Sequence, residues 1–204
     1  MWEERVLPRA VDLVLTDATA ASWRTTTTAG LSGVVLELGF GSGRNLPYYP
    51  DAVTRVLAVE PADLAWERAT ERIARFGRPV ERVSLDGAAL PVGSGTVDAV
   101  VSTWTLCTIP DVERALAETR RVLVPGGTLR FVEHGVAPGG VTARLQRALQ
   151  PVWGRLSGGC HLDRDIGGLL TGSGFELDLE HEGFVGPGPV QLFGWFVHGT
   201  ARPA

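Results

Sequence analysis

An apolar segment that runs directly into a glycine-rich turn constrains the fold of this chain more than any other feature. The segment is VVLEL at residues 34–38, and the turn GFGSG follows at residues 39–43. A strand that is apolar on both faces is typical of a parallel sheet covered by helices on both sides. Glycine adopts positive φ angles readily and lets a ligand approach the backbone. The sequence therefore predicts an α/β fold with a ligand bound where the first strand ends.

Strand and helix patterns alternate along the rest of the chain. Strands are predicted over residues 34–38, 56–59, 80–85, 97–102 and 128–133, and helices over residues 62–76, 111–123, 141–153 and 164–172. Two final strands, 175–182 and 192–200, are joined by a short loop and are expected to pair antiparallel. An amphipathic helix is predicted over residues 5–16, and the threonine run at residues 25–28 with Gly30 is expected to form a connector. This alternation indicates a doubly wound, mainly parallel sheet.

Composition narrows the range of functions. The 204 residues suffice for one α/β domain, and they include 19 arginines but no lysine, which excludes Schiff-base, P-loop and Tyr-Lys dehydrogenase chemistry. The net charge of −4 argues against nucleic acid as a partner. Cys107 and Cys160 lie far apart and in no CxxC pattern, so neither a metal site nor a disulfide framework is expected. The acidic start and the absence of a long apolar run predict a cytoplasmic protein without a membrane anchor.

The spacing of the glycines distinguishes between two cofactors. Gly39, Gly41 and Gly43 form a GxGxG pattern, whereas the dinucleotide fingerprint GxGxxG requires glycine at the position of Arg44. Glu37, before the turn, would repel a pyrophosphate, but its carboxylate can bind the ammonium group of S-adenosylmethionine. The pattern therefore favours S-adenosylmethionine, and a tight turn without a ligand is the structural alternative.

Acidic residues end the next two predicted strands. Glu60, which Pro61 follows, stands where a carboxylate can accept hydrogen bonds from both ribose hydroxyls. Asp86 ends the third strand and could accept a hydrogen bond from the adenine amino group. The structural alternatives are a solvated strand end for Glu60 and a turn former before Gly87 for Asp86.

Five segments together resemble a class I S-adenosylmethionine-dependent methyltransferase over about half of the chain: VLELGFGSGRNLPYYP, VEP, SLDGAALPV, DAVVSTWTLCTIPD and RRVLVPGGTLRFVEHG. The motifs STWTLCTIPD and GGCHLDRD are more narrowly similar to the thiol methyltransferases of the methyltransferase-like group and to their bacterial phospholipid and quinone-type relatives. The resemblance implies a Rossmann-like, seven-stranded sheet in the order 3-2-1-4-5-7-6 with the last strand antiparallel.

The resemblance also assigns the cofactor contacts. It implies that Glu37 and the three glycines hold the methionine part, that Glu60 holds the ribose, and that Asp86 with Gly87 and Ala88 holds the adenine. The sequence departs from the family in two ways. The acidic residue that the family often carries near Ala88 is missing, and so is the N-terminal hydrophobic segment of its membrane-anchored members.

Residues beyond the fourth and fifth strands are candidates for the acceptor side. Ser102 and Trp104 follow the fourth strand, and the Trp104 ring is expected to lie against the cofactor or the acceptor, or to pack in the core. His134 ends the fifth strand and is the first candidate for a general base, and His161 is the second. The structural alternatives are a hydrogen-bonded loop histidine for His134 and a helix-capping loop around His161. Cys107 is interpreted as a small buried hydrophobe.

The sequence thus predicts one domain over residues 1–204. It divides into a helical lid at 1–30, a cofactor-binding core at 31–135, and substrate-side helices with the terminal strand pair at 136–204. The predicted function is in-line methyl transfer to a small apolar acceptor, through S, O, N or C. Two other functions stay open: a catalytically silent S-adenosylmethionine-binding module that works through a partner, and a nicotinamide oxidoreductase, against which the glycine spacing argues.

Overall fold

Seven strands build a mixed sheet. They are β1 (Gly33–Leu38), β2 (Val53–Val59), β3 (Val80–Ser84), β4 (Val97–Thr103), β5 (Leu123–His134), β6 (Phe175–Phe184) and β7 (Trp195–Pro203). The computed structural model describes residues 17–186 and 188–204. The strand order is β3-β2-β1-β4-β5-β7-β6. Strands β1 to β5 pair in parallel, and β7 lies antiparallel between β5 and β6. The predicted order and the antiparallel last strand are both confirmed.

Helices cover both faces of this sheet. They are α1 (Asp17–Thr28), α2 (Asp63–Phe76), α3 (Val112–Val122), α4 (Gly140–Leu156) and α5 (Ile166–Gly172), with short 3-10 helices at Leu46–Tyr48 and Gly188–Phe193. Alternate residues of β1 face opposite cores, since side chains of a strand alternate between its faces. Leu36 and Leu38 are buried in a cluster with residues of α3 and α5, while Val35 is buried in a second cluster with Ala69 of α2. This double burial explains why residues 34–38 are apolar without alternation.

The threonine run at residues 25–28 belongs to α1, so the expectation of a connector there is wrong. Each of the four hydroxyls donates a hydrogen bond to the carbonyl oxygen four residues earlier, at 2.7 to 2.9 Å. Threonine is a weak helix former, but this back-bonding satisfies its hydroxyl inside a helix. Thr27 and Thr28 are also buried, and such tertiary contacts outweigh intrinsic propensity.

Other boundaries also differ from the sequence prediction. Strand β7 begins at Trp195 and not at residue 192, because the second 3-10 helix occupies the predicted start of the strand. The strand ends at Pro203, three residues after its predicted end. Helix α4 runs three residues further than predicted, and α5 begins at Ile166 after the N-cap Asp165, whose side chain accepts a hydrogen bond from the Gly168 N–H. The helix predicted over residues 5–16 lies outside the described residues. Within residues 17–186 and 188–204, no helix has the length and apolarity that crossing a bilayer requires.

Candidate cofactor and acceptor site

The carboxyl ends of strands β1 to β5 meet at one edge of the sheet, because these strands are parallel. The strand order reverses between β1 and β4. The crevice outside such a reversal is where open α/β sheets bind ligands. The glycine turn, Glu60, Asp86, Trp104 and His134 all follow or end these strands, so the fold brings the predicted residues to a common edge.

The three glycines of the turn all have positive φ angles, between 57° and 73°, but for different reasons. A Cβ on Gly39 would overlap the side chain of Thr105, and one on Gly43 would press on three neighbouring side chains at 3.1 to 3.3 Å. At Gly41 the nearest atom to a Cβ would be the Gly39 carbonyl oxygen, at 3.9 Å. Gly39 and Gly43 therefore serve packing, while Gly41 borders open space, as a backbone cradle for a ligand requires.

Glu60 lies against this turn. Its carboxylate accepts hydrogen bonds from the backbone N–H groups of Gly41 at 2.6 Å and Ala62 at 2.8 Å. Burial raises the pKa of Glu60, and the two backbone donors oppose that effect. A buried carboxylate beside an open glycine turn suits the hydroxyls of a ribose. Pro61, the next residue, is exposed.

Glu37 lies beneath the turn and is 1% exposed. One carboxylate oxygen accepts a hydrogen bond from Asn45 Nδ2 at 2.8 Å, and the other accepts one from the Tyr49 hydroxyl at 2.6 Å. Burial raises the pKa of Glu37 to about 7, against the opposing effects of Tyr49, Arg24 and Asn45. The Arg24 guanidinium in turn donates to Asn45 Oδ1 at 2.6 Å. The acid that was predicted to hold an ammonium group is thus the centre of a buried polar network.

The adenine side of the predicted site is a tight turn after β3. The Asp86 carboxylate accepts a hydrogen bond from the Ala88 N–H at 2.8 Å. Asp86 is exposed, whereas Gly87 and Ala88 are buried. A Cβ on Gly87 would lie 3.3 Å from the side chain of Leu38, so Gly87 packs against the end of β1. Asp86 therefore forms the turn before Gly87, and this role is compatible with the predicted hydrogen bond to adenine.

The loop after β4 is fixed by a buried carboxylate that the sequence analysis did not single out. Glu133 is fully buried and accepts hydrogen bonds from the Ser102 hydroxyl at 2.6 Å, the Thr105 N–H at 3.1 Å and the Cys107 N–H at 3.3 Å. Burial raises the pKa of Glu133, and these donors counteract it. Ser102 is therefore oriented toward β5 as part of this support. A carboxylate directly after the apolar pair Phe131 and Val132, in RFVEH, was the sequence signal for it.

Trp104 occupies the strained part of this loop. Among the described residues other than glycine, it alone has a positive φ, at 52°. Such backbone strain costs free energy and is concentrated at functional sites. The Arg24 guanidinium lies 5.2 Å from the centroid of the Trp104 ring, and Phe196 packs against the ring edge-on. Helix α1, which belongs to the predicted lid, thus contacts both the glycine-turn network and the candidate acceptor loop through Arg24.

A cysteine of this loop, Cys107, lies near the side chains of Cys160 and His134. Cys160 Sγ lies 3.7 Å from Cys107 Sγ and 3.7 Å from His134 Nδ1. Cys107 and His134 are buried, and Cys160 is half-buried. The contact with Cys107, followed by the effect of His134, lowers the pKa of the Cys160 thiol. Sequence analysis missed this cluster because 53 positions separate the cysteines and no local spacing links them.

His161 lies next to this cluster but faces other groups. Its Nδ1 is 3.4 Å from Gln150 Nε2 and 3.5 Å from an oxygen of Asp163, and its side chain is 42% exposed. Its backbone N–H donates to the Cys107 carbonyl oxygen at 2.8 Å. The structure therefore separates the two candidate histidines: His134 is buried with sulfur neighbours, and His161 is partly open to solvent.

Relatives of known activity support a methyltransferase. Residues 36–131 match the family model described as a methyltransferase domain. The chain is 35% identical over 162 residues, 75% of its length, to the human thiol S-methyltransferase TMT1B. It is also 34% identical over 122 residues, 57% of its length, to phosphatidylethanolamine N-methyltransferase of Cereibacter sphaeroides.

Residues 36–131 thus form a methyltransferase domain, and the chain is similar to class I S-adenosylmethionine-dependent methyltransferases. Solved methyltransferase structures share its fold: one from Thermotoga maritima, described as a possible histamine N-methyltransferase, has a TM-score of 0.69 at 22% identity and covers 100% of this chain and 98% of that one. The chain spans 55% of the rat thiol S-methyltransferase TMT1B and 65% of the human one.

Methyltransferases of this family use S-adenosylmethionine as cofactor, and the candidate site residues of the chain fit it. The open side of Gly41 provides a cradle that a side chain would fill. Glu60 provides a buried acceptor beside that cradle. Glu37, held by Asn45 and Tyr49, provides a buried carboxyl group below it.

Proposed function

We propose that this chain transfers the methyl group of S-adenosylmethionine to the sulfur of a small, apolar thiol. The supporting observation is the 35% identity over 75% of the chain to a protein named as a thiol S-methyltransferase. The polarisable sulfurs of Cys107 and Cys160, near the carboxyl ends of β4 and β5, also suit contact with the sulfur of a thiol. The sequence left S, O, N and C open as the acceptor atom, and the proposal selects sulfur.

The residues around the glycine turn bind the cofactor in this proposal. Gly41 presents its backbone, Glu60 accepts from the ribose, and Asp86 with Gly87 and Ala88 borders the adenine. The Glu37 network, with Asn45 and Tyr49, attracts the ammonium group. The bound cofactor supplies a methyl group activated by a sulfonium centre.

The remaining task of the protein is to align the acceptor and exclude water. Trp104 and the apolar edge of β7 form one wall, and His134 forms another. A thiol with an ordinary pKa near 8.5 reacts faster once its proton has been removed. His134, which is buried at the end of β5, is the first candidate base, and His161 in the adjoining loop is the second.

Two measurements test the proposal. Calorimetry with S-adenosylmethionine reports binding, and transfer of a labelled methyl group is then compared among aliphatic thiols, phenols, amines and quinols. We expect tight binding and a thiol preference. Turnover restricted to phenols, amines or quinols would refute the thiol assignment, and binding without turnover of any acceptor would identify a silent S-adenosylmethionine-binding module.

A further inference from the structure

Two of the three distances within the cysteine–histidine cluster match those around a tetrahedral metal ion. In such a site, Zn–S bonds of about 2.3 Å and Zn–N bonds of about 2.0–2.1 Å separate two sulfurs by roughly 3.8 Å and a sulfur from a nitrogen by roughly 3.5 Å. The observed separations are 3.7 Å for Cys107 Sγ to Cys160 Sγ and 3.7 Å for Cys160 Sγ to His134 Nδ1. All three ligand atoms lie within 4.8 Å of one another. We propose that Cys107, His134 and Cys160 bind one thiophilic divalent cation, with Zn²⁺ as the best match.

The ligand set favours zinc over harder ions. Thiolate and imidazole bind Zn²⁺ strongly, whereas Mg²⁺ and Ca²⁺ require oxygen ligands. Two thiolates also balance the charge of a divalent cation, which matters at a site where Cys107 and His134 are buried. His134 Nε2 is buried and has no hydrogen-bond partner among the residues that the structure describes. The other ring nitrogen, Nδ1, contacts Cys160 Sγ and is the atom that would bind the cation.

The two loops that carry the cysteines are fixed to each other by contacts that do not involve sulfur. The Arg164 guanidinium donates to the carbonyl oxygens of Leu106 and Ile109, on either side of Cys107. Gln150 donates to the Cys160 carbonyl oxygen at 3.2 Å and accepts from the Leu162 N–H at 2.6 Å. The ligand atoms are thus held near their binding positions by the fold itself, as a preorganised metal site requires.

A glutamine of α4, Gln146, fixes the histidine side of the cluster. Gln146 is fully buried, accepts a hydrogen bond from the Ala137 N–H at 2.9 Å and donates to the Gly135 carbonyl oxygen at 3.2 Å. This ties the segment after His134 to α4. All three ligands therefore come from segments that are anchored before any cation binds.

Three protein ligands leave one coordination position open, which is the arrangement of catalytic zinc sites. This step rests on the proposed function. When a thiol acceptor binds there, its S–H bond breaks, the proton leaves to solvent, and the sulfur bonds to the cation as a thiolate. His134 then acts as a ligand and not as the base, because the cation lowers the pKa of the acceptor thiol. The thiolate is the nucleophile that thiol methylation needs.

Metal binding is tested on the purified, reduced full chain without S-adenosylmethionine. Zn²⁺ is titrated in competition with a chromophoric chelator, and Co²⁺ is added to a second sample to detect thiolate-to-cobalt charge-transfer absorption. We expect one Zn²⁺ per chain and the cobalt absorption. Cys107→Ser, Cys160→Ser and His134→Ala should each weaken Zn²⁺ binding by more than about 100-fold.

His181→Ala serves as the matched control, because His181 packs against Trp23 and lies outside the cluster. It should bind Zn²⁺ as the wild type does, and circular dichroism checks that every variant is folded. The proposal is overturned if the reduced wild type takes up no Zn²⁺, if its cobalt form shows no thiolate absorption, or if folded ligand variants bind Zn²⁺ like the wild type. The proposal is also overturned if the purified protein holds a Cys107–Cys160 disulfide and still takes up no Zn²⁺ once this disulfide has been reduced.

The metal site and the thiol assignment fail separately. Stoichiometric Zn²⁺ binding without methylation of any thiol upholds the metal site and refutes the proposed acceptor. Thiol methylation that continues at the full rate after the cation has been removed by a chelator upholds the acceptor and refutes the open coordination position.

Discussion

The Tyr49 hydroxyl donates a 2.6 Å hydrogen bond to Glu37, and this contact stabilises the negative charge of a carboxylate that burial disfavours. Burial nevertheless prevails, so the pKa of Glu37 in the folded protein, about 7, exceeds its ordinary value of 4.5. A raised pKa means that the folded state binds a proton more tightly than the unfolded state does. Glu37 therefore stabilises the fold most below pH 4.5, and this stabilisation is lost as the pH rises through 7.

We expect Glu37→Gln to flatten the pH dependence of stability. The contribution of Glu37 that is lost between pH 4.5 and about 7 amounts to roughly 3 kcal/mol, and an uncharged side chain cannot titrate. Chemical denaturation at several pH values measures this difference between variant and wild type. Glu81→Gln, at an exposed ion pair with Arg55, is the control and should keep the wild-type slope. If stability in Glu37→Gln depends on pH as steeply as in the wild type, Glu37 does not have the raised pKa inferred from its burial.

Tyr49→Phe should move the effect of Glu37 to higher pH. The variant lacks the hydrogen bond that lowers the pKa of Glu37, so this pKa rises further and stability continues to fall above pH 7. The same denaturation series measures this, with Tyr49→Phe/Glu37→Gln as the control in which the added loss should vanish. A loss that persists in the double variant would arise from packing alone.

Gly41→Val should impair S-adenosylmethionine binding without unfolding the chain. The side chain would enter the open space beside the turn, and its positive φ of 57° adds about 1–2 kcal/mol of strain. Gly77→Val carries the same strain at the exposed end of α2, where no atom lies within 4 Å of a Cβ. Calorimetry should show an affinity loss of at least about tenfold, 1.4 kcal/mol, in the first variant only. Equal affinities in both would place the cofactor elsewhere.

Glu60→Gln should weaken S-adenosylmethionine binding about tenfold, since a charged acceptor forms stronger hydrogen bonds than a neutral amide. The amide also offers the Gly41 and Ala62 N–H groups one acceptor oxygen in place of two. Glu81→Gln on the neighbouring strand is again the control, and calorimetry measures both. An affinity that survives in Glu60→Gln would mean that the Glu60 carboxylate only supports the turn.

Glu133→Ala should destabilise the fold by about 3 kcal/mol or more, because the substitution leaves buried donors of Ser102, Thr105 and Cys107 without an acceptor. Glu113→Ala, in the exposed first turn of α3, should change the free energy of unfolding by less than about 0.5 kcal/mol. Urea denaturation measures both. A mild effect in Glu133→Ala would show that water replaces the lost acceptor.

His134→Ala should slow turnover while S-adenosylmethionine affinity stays as in the wild type, since His134 faces the sulfurs and not the glycine turn. His181→Ala, on β6, should leave turnover unchanged. Steady-state kinetics with the acceptor found by screening, together with calorimetry, separate these effects. Unchanged turnover in His134→Ala would remove His134 from both the base and the ligand roles.

The fold was predictable because its signals are local. The apolar strand before the glycine turn and the strand–helix alternation both follow from which residues lie in sequence beside one another. The threonine run at residues 25–28 was wrongly predicted as a connector, because its helical form depends on hydroxyl back-bonding and on burial. The start of β7 was misplaced because the apolar residues of the 3-10 helix resemble a strand.

The candidate site was only partly predictable. Glu37 and Glu60 could be found because each ends a strand, but the partners of Glu37 could not. Arg24 and Tyr49 reach it from other elements, and their approach depends on tertiary packing. Cys107 and Cys160 illustrate the same limit, since only the pairing of β4 with β5 and the return of the loop after α4 bring them together.

Gly39 packs so closely on the Thr105 side chain that the cofactor turn and the loop after β4 are in direct contact. A ligand that displaces either loop must therefore displace the other. Cofactor and acceptor affinities are then thermodynamically coupled, and each ligand changes the dissociation constant of the other by the same factor.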